Sequence, residues 1–336
     1  MLTGCLFSGD SSFFLWTAFT SPYIIRTMEG IYFDGEKALY RTDLPVPRRG
    51  EGQSLIRILL AAVCSTDREI LKLYRPSFRG IMGHEFVGVV EESDDRSLVG
   101  KRVVGEINEN CGKCLYCLTG REHHCSSRQT PGLSRDGCFA RYMVLRTDLL
   151  HVVPDSLPSE RAVFTEPLAA AFEILEQVKV ERGTPLAIIG DGRLSLCIAS
   201  VMSMVGADIT VVGKHEEKLR LFSPLGKTTN AAEREGYEIV VEASGNPSGF
   251  SDALSAVRKK GTIVLKSTYA EKVSFDLSII TVNELTVVGS RCGPFEPALE
   301  ALSSGRIVLP PVEKYHLSDF EKAFSSRAFK AAFETG

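Results

Sequence analysis

The stretch "PLAIIGDGRLSLCIASVMSMVGADITVV", residues 185–212, constrains the fold more than any other part of the chain. An apolar run ends in a glycine turn, a helical pattern follows, and a second apolar run closes the unit. The same alternation continues through "HEEKLRLFSPLG", "EIVVEASG", "FSDALSAVRKKG", "TIVLKS" and "LTVVGS". Strand-like runs alternating with helical stretches predict an α/β unit, a parallel sheet covered by helices on both faces.

The turn itself has a chemistry. Gly190 permits a tight bend, and Gly192 lets backbone amides approach a pyrophosphate. Arg193 and Leu194 open the helix, whose free N-terminal amides and positive dipole end favour an anion. Ser195 stands where a third glycine is usual, and its small side chain fits between helix and strand. The strand, turn and helix are the context that a dinucleotide fingerprint requires. A protein that binds NAD usually ends the second strand with an acid that holds the ribose hydroxyls. Here "DITVV" runs into Gly213, Lys214 and His215. The missing carboxylate, with a lysine beside it, favours NADP, with NAD still possible; the alternative is that Lys214 is a solvated loop charge.

From Gly30 to about Pro154 the pattern changes to short β-rich segments, "SLIRILLAAVC", "FVGVVEES", "KRVVGEI" and "FARYMVLR", broken by Gly, Pro and Asp. This half reads as an antiparallel, barrel-like domain. The closing "LSDFEKAFSSRAFKAAF" reads as one helix that returns to it. A chain of 336 residues accommodates two such domains. Its 39 basic and 42 acidic residues give a formal net charge of -3, so no overall field draws nucleic acid or an anionic membrane. No apolar run approaches the roughly 20 residues that span a bilayer. Residues 1–27 contain Trp16 and one arginine, Arg26, which fits neither a secretory signal nor a transit peptide; they read as an extension ahead of the folded protein.

The cysteines are the second strong constraint. "CGKCLYCLTGREHHC" holds Cys111, Cys114, Cys117 and Cys125, close enough for one loop to wrap a tetrahedral ion with four thiolates. Nine cysteines in a chain this long do not form a small secreted disulfide framework, so a reducing, cytoplasmic setting fits better. Four thiolates close the coordination shell, which makes a zinc here structural. His123 and His124 are alternatives to Cys125, read more simply as surface residues. Catalysis then needs other groups. "AVCSTDREI" supplies Cys64, Thr66 and Asp67, "IMGHEFVGVV" supplies His84 and Glu85, and "FTEPLAAA" supplies Glu166.

In that order, with the cysteine lobe and the glycine turn, these segments resemble the zinc-dependent branch of the medium-chain dehydrogenase/reductase superfamily, which contains alcohol, sorbitol, glucose and threonine dehydrogenases. The resemblance covers about residues 28–336. It implies a GroES-like β-rich catalytic domain over 28–166 with the lobe at about 108–126, a Rossmann doubly wound domain over 167–290, and a return to the first domain from 291. It implies two zincs per chain. Cys64 and His84 match invariant ligands of a catalytic zinc, and Glu85 and Glu166 match acids that bind it directly or through water. Asp67 matches a partner that orients the histidine, and Thr66 a hydroxyl that begins a proton relay. Glu69 stands where some relatives carry a relay histidine. Ser290 and Arg291 in "VVGSRCG", with Ser244 and Gly245, match positions lining the cofactor cleft.

The implied activity is reversible hydride transfer between a secondary alcohol, polyol or sugar-like hydroxyl and NAD(P), in a homodimer or homotetramer. Two rivals make other predictions. A zinc-free NADPH-dependent quinone or enoyl reductase on the same fold lacks the Cys64, His84 and Glu166 set. A non-catalytic NADP(H)-binding protein binds the dinucleotide tightly and oxidises no alcohol.

Overall fold

The computed structural model describes residues 26–73, 75–268 and 274–335. The extension read from the sequence, Trp16 included, lies outside them up to residue 25, and the first strand, Thr27–Phe33, begins at the extension's last position.

Six strands form one parallel sheet, in the order Lys227–Thr229, Asp208–Val212, Pro185–Ile189, Tyr237–Glu242, Val257–Leu265, Thr286–Gly289. The central strand is buried on both faces, which is why it reads as a continuous apolar run. Its side chains alternate between two cores. Leu186 and Ile188 pack with the helices Thr165–Gln177, Arg193–Met204 and Phe295–Ser303, while Ala187 and Ile189 pack on the opposite face with Phe250 and Ala253. The doubly wound architecture expected from the alternation is present. Two helical expectations shrink: residues 215–226 give only Glu216–Leu219, and the helix Ser248–Ala256 yields to strand at Val257.

The β-rich half is built on a seven-stranded sheet centred on Gln53–Ala62 and Glu85–Glu92, which pair antiparallel. Tyr142–Arg146 pairs with Gln53–Ala62, and Arg102–Gly105 and Leu150–Val152 extend the sheet beyond Glu85–Glu92. A three-stranded sheet of Ala38–Pro45, Thr27–Phe33 and Gly80–Ile81 covers it.

The closing segment departs from the sequence reading. It is helical only over Phe320–Ser325, and Lys330–Glu334 is a strand. That strand pairs antiparallel with Leu60–Ala62 on one side and parallel with Val312–His316 on the other, so two ladders outweigh local helix preference. The return to the β-rich half is therefore made by strands. Helix Phe295–Ser303, which precedes them, packs instead on Thr165–Gln177.

Candidate active site

Cys64 follows the apolar strand Gln53–Ala62 by two residues and sits at the N-cap of the short helix Ser65–Ile70. His84 immediately precedes the neighbouring antiparallel strand Glu85–Glu92, whose Glu85 pairs with Ala62. Pairing the two strand ends brings their side chains to one point, and ligand atoms of Cys64, His84 and Glu85 lie within 4.8 Å of one another. A thiolate, an imidazole and a carboxylate are the donor types that zinc accepts.

Asp67 touches both partners. Its Oδ2 accepts the Cys64 backbone N–H at 2.7 Å, and its Oδ1 lies 3.4 Å from His84 Nδ1. Neither Oδ1 nor Nδ1 makes a hydrogen bond, although both are buried. Burial alone would lower the His84 pKa, but the Asp67 carboxylate and the Cys64 sulfur beside it hold it well above its ordinary value. The acid and sulfur groups around the ring favour positive charge at this point, and a divalent cation fits the donor set. Thr66 Oγ1 is 3.8 Å from Cys64 Sγ, at the half-buried side of the cluster.

Glu166, in the first turn of helix Thr165–Gln177, is not among the three grouped ligands. It is near enough for Glu85 to act on it: burial, reinforced by Glu85, pushes its carboxyl up to about 7. The sequence reading missed Lys330, which is 1% exposed. Its Nζ donates to Glu85 Oε2 and lies 5.4 Å from the centre of the Phe164 ring. A lone lysine among apolar residues in "RAFKAAF" was the available signal, hidden because the segment read as a helix.

The lobe brings its four cysteines together as expected, with ligand sulfurs of Cys111, Cys114, Cys117 and Cys125 mutually within 4.8 Å. Backbone N–H groups of Cys117 and Ser126 pull the Cys114 thiol down to about 6, so a thiolate is ready for a metal. Desolvation and the neighbouring sulfurs push Cys117 up to about 11, a conflict that a shared cation removes. The two histidines stay outside. His123 lies 3.6 Å from Glu106, and the His124 ring is tilted against Tyr116, with centroids 6.3 Å apart.

The glycine turn is shaped for a dinucleotide. Gly190 has φ 123°, and a Cβ there would come within 2.7 Å of Ala243 O, so only glycine is accommodated. A Cβ at Gly192 would meet nothing within 4 Å; the helix start faces open space, as a pyrophosphate requires. Leu194 is half-buried and Ser195 fully buried behind it. Arg193 reaches out of the turn, donating to Val63 O at 3.1 Å and Ser65 Oγ at 2.9 Å. These two residues flank Cys64, so the nucleotide turn and the metal-type cluster are neighbours.

The loop at Ser244 borders the turn, and those at Lys266 and Ser290 follow the next strands of the sheet. Ser244 donates its backbone N–H and its hydroxyl to Glu242, and the Gly245 N–H is held by Ser267. Lys266 donates to Ala170 O, Ser290 Oγ and Arg291 O, tying the loop at Ser290 and Arg291 to the helix of Glu166; burial lowers its pKa to about 8. At the end of strand Asp208–Val212 there is no acid, as the sequence reading held. A carboxylate nevertheless arrives from the turn: Asp191 accepts the backbone N–H groups of Lys214 and His215. Despite its burial, these donors and the His215 ring keep its pKa below the ordinary range.

Comparison with known proteins agrees with this fold. Residues 50–155 match the alcohol dehydrogenase GroES-like domain, and residues 194–304 match the zinc-binding dehydrogenase model. The chain is 28% identical to the erythritol/L-threitol dehydrogenase of Mycolicibacterium smegmatis, over 90% of this chain and 94% of that protein. It is 31% identical to the L-threonine 3-dehydrogenase of Xanthomonas euvesicatoria, over 76% of this chain and 82% of the relative. A zinc-binding dehydrogenase of Sinorhizobium meliloti, solved with NADP, superposes with a TM-score of 0.84 at 24% identity, covering 92% of this chain and 99% of that one. The chain belongs to the zinc-dependent medium-chain dehydrogenase/reductase superfamily.

Proposed function

We propose that the chain oxidises a secondary alcohol, a polyol or a sugar-like hydroxyl reversibly, with NAD(P) as hydride acceptor and two zincs per chain. The single observation that carries this reading is the Arg193 bridge, which sets the dinucleotide turn beside Cys64 while Cys64, His84 and Glu85 gather within ligand distance. Zinc, when bound by Cys64 and His84 with Glu85 or Glu166, supplies Lewis acidity toward an alcohol or carbonyl oxygen. The chain's own residues do the rest. Asp67 fixes the orientation of His84 and the backbone at Cys64. Thr66 offers a hydroxyl beside the cluster that takes up and passes on a proton, and Lys330 neutralises Glu85. The zinc at Cys111, Cys114, Cys117 and Cys125 holds the lobe and takes no part in turnover.

The substrate class is supported by the relatives, whose names span erythritol or L-threitol and L-threonine, each with a hydroxyl of this type. The Cys64, His84 and Glu85 grouping argues against a zinc-free reductase and against a protein that only binds nucleotide. For the cofactor, Lys214 beside an acid-free strand end speaks for NADP, and Asp191 at the same point speaks for NAD. We assign the catalytic domain to residues 28–166, the Rossmann domain to 167–290 and the return to 291–336; sheet membership supports the return through Val312–His316 and Lys330–Glu334, while helix Phe295–Ser303 packs with the parallel sheet.

A homodimer or homotetramer is supported by the edge strand Thr286–Gly289, beside which Leu277, Ile279 and Val282 are exposed. No helix among the described residues is long and apolar enough to cross a membrane, and the eight described cysteines are unpaired, in keeping with a reducing cytoplasm. A screen of erythritol, sorbitol and L-threonine with NAD and NADP tests the activity. Reduction of either dinucleotide by at least one of them is expected, and none by any secondary alcohol would contradict the reading.

A further inference from the structure

Asp191 stands between the two glycines of the turn and is 8% exposed. Its Oδ2 accepts the backbone N–H of Lys214 at 2.8 Å, that of His215 at 2.9 Å, and lies 2.9 Å from His215 Nδ1. A carboxylate only accepts, so Nδ1 carries the proton of that contact. Oδ1 makes no hydrogen bond among the described residues, and Lys218 Nζ lies 3.9 Å from it.

The glycine at 213 follows from this arrangement. A Cβ built there would lie 2.6 Å from Asp191 Cβ and 2.7 Å from its Oδ2. The second strand thus ends in glycine because the carboxylate fills the space that a side chain would occupy. Glycine at this point is a steric consequence of Asp191 and carries no information of its own about a 2'-phosphate.

We propose that Asp191 is the specificity-determining residue for the dinucleotide, supplying from the glycine turn the carboxylate that holds the adenosine ribose hydroxyls, and that the chain therefore selects NAD over NADP. The proposal rests on the dehydrogenase reading above and deepens it. The two backbone N–H groups that would cradle a 2'-phosphate already hold Asp191 Oδ2. A phosphate carrying about -1.5 to -2 charges would have to evict a buried carboxylate or lie against it. Lys214 is exposed and long, so solvent and salt screen its charge, while the charge of buried Asp191 is screened far less. A ribose 2'-hydroxyl meets the opposite situation, since it donates to the oxygen that has no hydrogen bond.

The test is direct binding to the zinc-loaded full chain, titrating NADH and NADPH without substrate and following nicotinamide fluorescence. NADH should bind about tenfold or more tighter than NADPH, the scale expected for a like-charge clash. Asp191→Ser should shrink that ratio by about tenfold or more, weakening NADH and strengthening NADPH. Because that change could disturb the turn, the double variant Asp191→Gly with Gly213→Asp returns the carboxylate to the end of the strand and should restore the preference for NADH. A wild-type preference for NADPH, or an equal loss of both cofactors in Asp191→Ser, would overturn the proposal while leaving the dehydrogenase reading intact. Failure of both cofactors to bind the wild-type chain would overturn the two together.

Discussion

The Asp67 carboxylate faces the His84 ring, Oδ1 to Nδ1 at 3.4 Å, while its second oxygen accepts the Cys64 N–H at 2.7 Å. One buried acid thereby aligns two residues that come from different strands. Partners of this kind typically matter to metal affinity by about 10- to 100-fold. Asp67→Asn should weaken the zinc bound near Cys64 by that factor and leave the lobe zinc unchanged, as measured by competition with a chromophoric chelator. Equal retention of both zincs would contradict the role assigned to Asp67.

Lys330 and Glu85 form an ion pair in which each side chain is 2% exposed. Removing one member strands the other charge in the interior, at a cost of about 3–5 kcal/mol. Lys330→Ala should lose that much stability in urea unfolding, whereas Lys314→Ala, which removes a half-exposed lysine paired with Glu160 and Glu334, should lose about 1 kcal/mol or less. Similar losses for the two variants would show that the Glu85 contact has no special weight.

Glu166 makes the chelator-treated protein sensitive to pH. Its folded-state pKa is raised to about 7, so the folded chain keeps a proton that the unfolded chain has already released. Stability from this group is therefore complete below the ordinary carboxylate range and falls as pH rises toward about 7. Glu166→Gln removes the titration, and the metal-free variant should exceed the wild type by up to about 3 kcal/mol at pH 8 but hardly at all at pH 4. Thermal unfolding at the two pH values checks this, and a constant difference between them would contradict it.

Much of the site was legible because its signals are local. Cys111 to Cys125 lie in one loop, so their spacing groups them, whereas Cys64, Thr66 and Asp67 share one strand-to-helix turn and took their roles from the family resemblance. Lys330 was not legible: it is 245 residues from Glu85, and its placement depends on a strand that looked helical. Phe320, Phe324, Phe329 and Phe333 repeat at helical spacing across a break, yet Phe324 and Phe333 meet through Phe139 and each other, as a bend and a strand allow. The surroundings of Gly213 were hidden for a related reason. Its significance lies in the Asp191 side chain, which a sequence places 22 positions away and only the folded turn brings back.

The measurement that tests the account most directly is zinc content per chain by elemental analysis of the wild type, Cys64→Ser and Cys111→Ser, purified without added metal. Two zincs are expected in the wild type and one in each variant. Turnover should vanish in Cys64→Ser, and Cys111→Ser should show lowered thermal stability as its main defect. A wild type holding a single zinc that Cys64→Ser does not remove would contradict a catalytic metal site at Cys64, His84 and Glu85.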